Sequence, residues 1–120
     1  MKKKEIITIC FDIDGVICKI VANNNYKNAK PLKKNINIVN TLYEKGFNII
    51  LFTARYMGRS KENIVLAKKR GFKLTSDQLK TWNVKYNKLI FGKPSFDLVI
   101  DDKSIFFNKK WPSFLKKKLL

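Results

Sequence analysis

Two aspartates one residue apart close an apolar run near the start of this chain, Ile6-Ile7-Thr8-Ile9-Cys10-Phe11-Asp12-Ile13-Asp14-Gly15. Far along the sequence a second apolar run, Phe96-Asp97-Leu98-Val99-Ile100, ends in the doublet Asp101-Asp102. A carboxylate at the end of a buried strand is costly unless a hydrogen-bond donor or a cation meets it. Two such ends can come together at one edge of a parallel sheet, where a set of oxygen ligands suits a hard divalent ion such as magnesium. The competing reading is two polar strand ends in unrelated turns. Two further residues bear on the choice: Thr53, which ends the run Phe47-Asn48-Ile49-Ile50-Leu51-Phe52, and Lys93, which stands just before Pro94.

Composition excludes several classes. There is no histidine, and Cys10 and Cys18 form no CxxC pair, so the usual zinc sites and any histidine-based triad are ruled out. Cys10 is expected to pack in the first strand and Cys18 to lie in the loop after it, in a reducing, cytoplasmic setting. No run reaches the roughly 18 apolar residues that cross a bilayer, so no membrane span is expected. The basic start Met1-Lys2-Lys3-Lys4 imitates a signal peptide, but Glu5 and Asp12 interrupt the pattern and no small-residue cleavage site follows.

The net charge of +17 comes from 26 basic against 9 acidic residues, and all but three of the basic ones are lysine. A field of this sign draws phosphorylated solutes, nucleic acid and anionic surfaces. The lysines run along the whole chain, and no arginine-rich stripe interleaved with aromatics marks a nucleic-acid surface. Steering and solubility are therefore the first reading of the charge, and a polyanionic substrate the second.

Strand and helix patterns alternate in a chain read as one domain, 1–120. A first strand is expected from Glu5 to Phe11, then a polar loop from Gly15 to Pro31. Leu32, Ile36, Val39, Leu42 and Tyr43 recur at helical spacing before Gly46. A second strand ends at Thr53. Ser60 is expected to cap a helix that Gly71 stops, and Thr75 with Gln78 to form a capping box for a separate short helix through Trp82. Lys88 to Phe91 reads as a third strand, Phe96 to Ile100 as a fourth, and Ile105 onward as a helix broken at Pro112. Such alternation gives an α/β, Rossmann-like three-layer sandwich with a mostly parallel sheet. Ligand sites in such sheets lie beyond the carboxyl ends of the strands, where Asp12, Asp14, Thr53 and the late doublet are expected to stand.

Phe11-Asp12-Ile13-Asp14-Gly15-Val16, Thr53-Ala54-Arg55, Gly92-Lys93-Pro94-Ser95 and Ile100-Asp101-Asp102 resemble, in order, the four motifs of the haloacid dehalogenase superfamily. The resemblance is to its small capless phosphatases of capsule and surface-polysaccharide biosynthesis. The intervals 16–52 and 54–92, of 37 and 39 residues, are filled by the elements above and leave no room for a cap. The resemblance implies a magnesium-dependent phosphomonoesterase acting on a small phosphorylated metabolite, a sugar or polyol phosphate. It makes Asp12 the nucleophile, Asp14 the acid and base, and Thr53 with the following backbone the phosphate holder. Lys93 becomes the charge between nucleophile and phosphate, with Lys85 and Lys88 as fallbacks. It gives the metal to Asp12, Asp14, Asp102 and Asp101, with Asp102 the direct ligand, and puts Ala54 and Arg55 beside the substrate. An uncapped site works open, takes a large substrate, or borrows a lid from a second copy of the chain. Phosphatase action on nucleic-acid ends is the alternative activity, and a non-catalytic binding protein on the same fold is the alternative from another class.

Overall fold

The computed structural model describes residues 7–105 and 107–120, so Glu5 and Ile6, expected in the first strand, lie outside the described residues. Strand β1 (Thr8–Phe11) is followed by helix α1 (Lys33–Glu44), strand β2 (Asn48–Thr53), helix α2 (Ile64–Thr81), strand β3 (Lys88–Phe91) and helix α3 (Trp111–Leu119). The strands form one parallel sheet in the order β1-β2-β3, with Phe11 opposite Leu51 and Thr53 opposite Phe91. This is the expected α/β architecture, a parallel sheet flanked by helices. Neighbouring strands joined in sequence by right-handed crossovers must send both connecting helices to the same face. That face carries Phe11, Ile49, Leu51, Thr53 and Phe91, all buried. Trp111 of α3 packs on Phe11 and Phe72 of α2 on Phe91.

The core gathers where α1 and α3 meet the sheet. Val39 and Leu42 of α1 and Ile49 and Leu51 of β2 are fully buried, each worth about 1.5–3 kcal/mol of apolar transfer. Gly46 ends α1 in the left-handed region (φ 95°), donating its N–H to the Tyr43 carbonyl. On the opposite sheet face Thr8, Cys10, Lys88 and Ile90 are exposed. Cys10, expected to pack, is therefore on the surface, because strand alternation puts it opposite buried Phe11.

Four further expectations are corrected. Helix α2 starts at Asn63, whose side chain accepts the Leu66 N–H, and Ser60 is buried in a preceding 3-10 turn. The helix then runs unbroken through Gly71. A Cβ there would stand 2.3 Å from Cδ2 of Tyr56 and 3.1 Å from Cε2 of Phe91, so this glycine serves close packing. Pro112 opens α3, at a position where its missing N–H has no helical partner to lose. The segment from Phe96 to Ile100 forms no strand. Leu98 and Ile100 are 81% and 95% exposed, and among the described residues no neighbouring strand supplies the hydrogen-bond ladder that would hold the run extended.

Candidate active site

Asp12 and Asp14 stand at the carboxyl end of β1 because of the turn between and after them. Ile13 is fully buried, and its carbonyl accepts the N–H groups of Val16, Ile17 and Cys18. Gly15 takes a positive φ of 90°, which an L side chain rarely adopts, and donates to the Cys18 carbonyl at 2.7 Å. The buried residue between the two aspartates pins the chain, and both carboxylates remain at the sheet's mouth, 35% and 23% exposed.

Lys93 reaches the same mouth from the end of β3. Gly92 turns the chain at φ 105° and lies so close to Ile64 that a Cβ would meet its Cγ2 at 2.9 Å. The Lys93 N–H then donates to the Thr53 carbonyl at 3.2 Å, tying this loop to the end of β2. Its Nζ stands 3.3 Å from Oδ2 of Asp12, while the Ile13 N–H donates to Oδ1 at 2.8 Å. Burial pushes the Asp12 carboxyl above its ordinary value, outweighing the pull of Lys93 and of the Ile13 N–H. An ion pair half-removed from water does not recover all that desolvation costs.

Asp14 has a different partner. The Arg55 side chain is wholly buried, and its Nε and Nη2 meet Oδ2 and Oδ1 of Asp14 at 2.9 and 3.0 Å. Nη1 donates to Oε1 of Gln78 at 2.6 Å and to Oγ1 of Thr75 at 3.3 Å. Thr75 and Gln78, read from sequence as a helix cap, instead present one face of α2 to Arg55. Burial lowers the Arg55 pKa, but the hydrogen bonds and charge of Asp14, with Cys18 beyond, raise it on balance. Burial, then Asp14, push the Cys18 thiol up to about 12. Cys18 is therefore a neutral donor, its Sγ 3.5 Å from Oδ1 of Asp14. Among the described residues no buried side-chain nitrogen or oxygen lacks a partner.

Thr53 ends β2 fully buried, its hydroxyl accepting the Arg55 N–H at 3.1 Å, and Ala54 is half-buried beside it. The strand ends thus bring together Asp12, Asp14, Thr53, Ala54, Arg55 and Lys93. Asp101 and Asp102 are not brought in. Both are exposed in the segment between β3 and α3, where Asp101 Oδ1 accepts the Lys103 N–H. Among the described residues no three acidic or thiol side chains stand close enough to hold one metal ion. The carboxylates as placed, with Asp12 on Lys93 and Asp14 on Arg55, do not fit the expected magnesium set. Lys85 pairs with Glu44 and Lys88 is exposed on the sheet face away from the helices, so neither replaces Lys93. Sequence reading missed the Arg55–Asp14 pair. Its one signal was an arginine two residues past a buried strand, too common a feature to identify it.

No family model matches the chain, and no curated protein matches it. Among solved structures it is similar to an MCSG target from Vibrio cholerae, with a TM-score of 0.77 and 22% identity over 94% of this chain and 98% of that one. It is also similar to a chain of the Pnkp1/Rnl/Hen1 complex, with a TM-score of 0.54 and 13% identity over 95% of this chain. A second structure, of the Pnkp1/Rnl/Hen1 RNA repair complex, gives a TM-score of 0.50 at the same identity. The chain spans 34% and 32% of those two longer chains. At these identities the likeness establishes a shared α/β fold.

Proposed function

We propose that this protein is a phosphomonoesterase of the haloacid dehalogenase type, acting on a small phosphorylated metabolite such as a sugar or polyol phosphate of surface-polysaccharide synthesis. The observation that supports it best is the pairing at the sheet's mouth: Asp12 against Lys93 at 3.3 Å, one residue from an Asp14 that Arg55 fixes by two hydrogen bonds. An Asp12 oxygen attacks phosphorus in line, and the bond from phosphorus to the ester oxygen breaks. Water at the open mouth protonates that leaving oxygen, and Asp14, held as a carboxylate by Arg55, takes a proton from the water that then hydrolyses the aspartyl-phosphate. Lys93 supplies positive charge where the equatorial oxygens gather negative charge. The Ala54 N–H, with Thr53 behind it, holds one of those oxygens.

Magnesium, which the sequence resemblance implies, finds no matching ligand set among the described residues, and no step here draws on it. Asp101 and Asp102 stand apart from Asp12 and Asp14 here, so Lys93 and Arg55 are the cations on which the chemistry above draws. Action on nucleic-acid ends is the second reading, favoured by the net charge of +17 and by the likeness to a chain of an RNA repair complex. Purified protein and its Asp12→Asn variant would be assayed on an aryl phosphate with and without magnesium, then on a panel of metabolite phosphates and a phosphorylated oligonucleotide at two salt concentrations. Turnover that needs Asp12 supports the phosphatase reading, and none on any ester leaves a binding protein. A preference for the oligonucleotide that collapses with salt would promote the second reading.

A further inference from the structure

The turn after β2, the loop at 23–27 and the middle of α2 enclose an open cleft of about 310 Å³, lined by Asn23 to Lys27, Tyr56, Arg59 and Leu74. No carboxylate lines it, and among the described residues Arg59 makes no salt bridge. The guanidinium is nevertheless held in place. Its Nη2 donates to the Asn24 carbonyl at 2.8 Å, and its carbon stands 4.6 Å from the Tyr56 ring centre and 5.4 Å from that of Tyr26. Arg70 grips the backbone from behind, donating to the Arg59 carbonyl at 2.9 Å. An arginine has five N–H donors, and among the described residues only one of those on Arg59 is used.

The walls carry backbone strain. Asn23, Asn24 and Tyr56 all stand at positive φ, of 56°, 52° and 66°. For a residue as bulky as tyrosine that conformation is an outlier, and such residues persist where the surroundings over-determine them, most often at ligand sites. The aromatic faces are already taken. Tyr26 and Tyr56 tilt against each other at 5.1 Å, and Arg55 and Arg59 lie over them. Stacking of a planar ligand is thus closed off, and the groups left to recognise something are cationic and amide donors.

The cleft shares a wall with the proposed catalytic site. The Arg55 guanidinium carbon lies 4.7 Å from the Tyr26 ring centre while the same group grips Asp14, and Gln78 joins the two by donating to the Tyr26 carbonyl at 2.6 Å. We infer that this cleft receives the leaving group of the ester and that Arg59 there binds a second anionic group. The substrate class becomes small phosphate esters that carry another phosphate or a carboxylate. This rests on the phosphomonoesterase reading.

The test compares matched esters, fructose 6-phosphate and fructose 1,6-bisphosphate, on the wild type, Arg59→Gln, Arg59→Lys and Lys116→Gln, the last removing one charge far along the chain on α3. The bisphosphate should be the better substrate by tenfold or more in kcat/KM. Arg59→Gln should raise its KM by roughly ten- to hundredfold, the loss that follows removal of a charge-assisted hydrogen bond, with a clearly smaller effect on the monophosphate. Arg59→Lys should recover part of the preference, and Lys116→Gln should leave it in place. Equal losses in Arg59→Gln and Lys116→Gln, or no preference in the wild type, would overturn the inference. Calorimetric titration of inorganic pyrophosphate into the Asp12→Asn protein reads the site without turnover. Arg59-dependent binding there, together with a wild type that hydrolyses no ester, would keep the anion site and sink the phosphatase reading. Hydrolysis with no Arg59 dependence would do the reverse.

Discussion

Arg55 is the residue whose loss should tell most about this fold. Its side chain is wholly buried and divides its donors among Asp14, Thr75, Gln78 and Cys18. Replacing it with methionine keeps much of the volume and removes every one of those donors. Breaking one partner out of a buried pair costs about 3–5 kcal/mol, because the other charge stays behind uncompensated. Asp14 keeps 23% of its side chain in water, which relieves part of that penalty and places the expected loss near 3 kcal/mol. A domain of this size holds only about 5–15 kcal/mol in all, so Arg55→Met should remain folded but melt roughly 10 °C lower. Urea unfolding followed by the fluorescence of Trp82 and Trp111 would measure it, with the slope against urea unchanged if the denatured state is the same. Arg55→Lys should recover little, since an ammonium cannot reproduce the side-on fork. The Asp14→Asn variant completes a double-mutant cycle, and its coupling to Arg55→Met should be about 1–3 kcal/mol. A loss under about 1 kcal/mol, or additive single effects, would show that the pair carries little energy and that Asp14 is free to move.

Five further outcomes follow from the structure. Asp12→Asn should abolish turnover by orders of magnitude while its urea midpoint stays at or above that of the wild type; substantial activity in the pure variant would remove Asp12 as nucleophile. Because burial raises the Asp12 pKa above its ordinary 3.8, the folded chain holds that proton more tightly than the unfolded one. The Asp12 contribution to stability should therefore grow as pH falls through the folded pKa and level off below 3.8, opposite in sign to a salt-bridged carboxylate. Lys93→Gln removes a group that lowers this pKa, so the acid limb of kcat/KM should move to higher pH, and a limb that stays put would contradict the 3.3 Å pair. Because Asp101 and Asp102 stand apart from Asp12 and Asp14, turnover should survive chelator, and Asp101→Ala and Asp102→Ala should leave it near wild type; loss of activity to chelator with recovery on added magnesium would show that the late doublet joins the site. Native protein should take up one maleimide at exposed Cys10, slowed by its raised pKa, and none at Cys18, whose thiol is buried and titrates near 12; mass spectrometry reads the count.

The sheet was legible because its strands are short apolar runs ended by polar or turn residues. Lys88–Phe91 is found at the expected residues, and Asn48–Thr53 within one residue of its expected start. The rule that parallel strands share a carboxyl end placed Asp12, Asp14 and Thr53 together but also the doublet Asp101-Asp102, which stands exposed outside the group, while Lys93 was singled out by the family resemblance. The errors arose where one residue type answers two physical demands. Gly71 has the look of a terminator, yet the chain needs it for the close approach of Tyr56 and Phe91, a contact made across long sequence separation. Thr75 and Gln78 have capping-box spacing, yet that same i, i+3 relation puts both on one face of α2 toward Arg55. The run Phe96–Ile100 has strand composition, but composition cannot supply the neighbour a strand requires, and these side chains are exposed.

The turn after β2 links what the two halves of the site do. Thr53 ends the strand, Arg55 holds Asp14, Tyr56 is strained over Gly71, and Arg59 faces the cleft. Arg55 and Tyr56 are neighbours in sequence but point to different tasks, one toward the carboxylate and the other toward the tyrosine–arginine stack. The positive φ of Tyr56 lets the chain reverse between them within a single residue. A shift in Tyr56 would therefore be felt by Asp14 through Arg55 and Tyr26, and by an anion on Arg59 directly. Gly71 sits under that ring with no room for a methyl group. The small residue on α2 thus supports both the Arg55–Asp14 pair and the cleft at Arg59, which it touches only through the tyrosine above it.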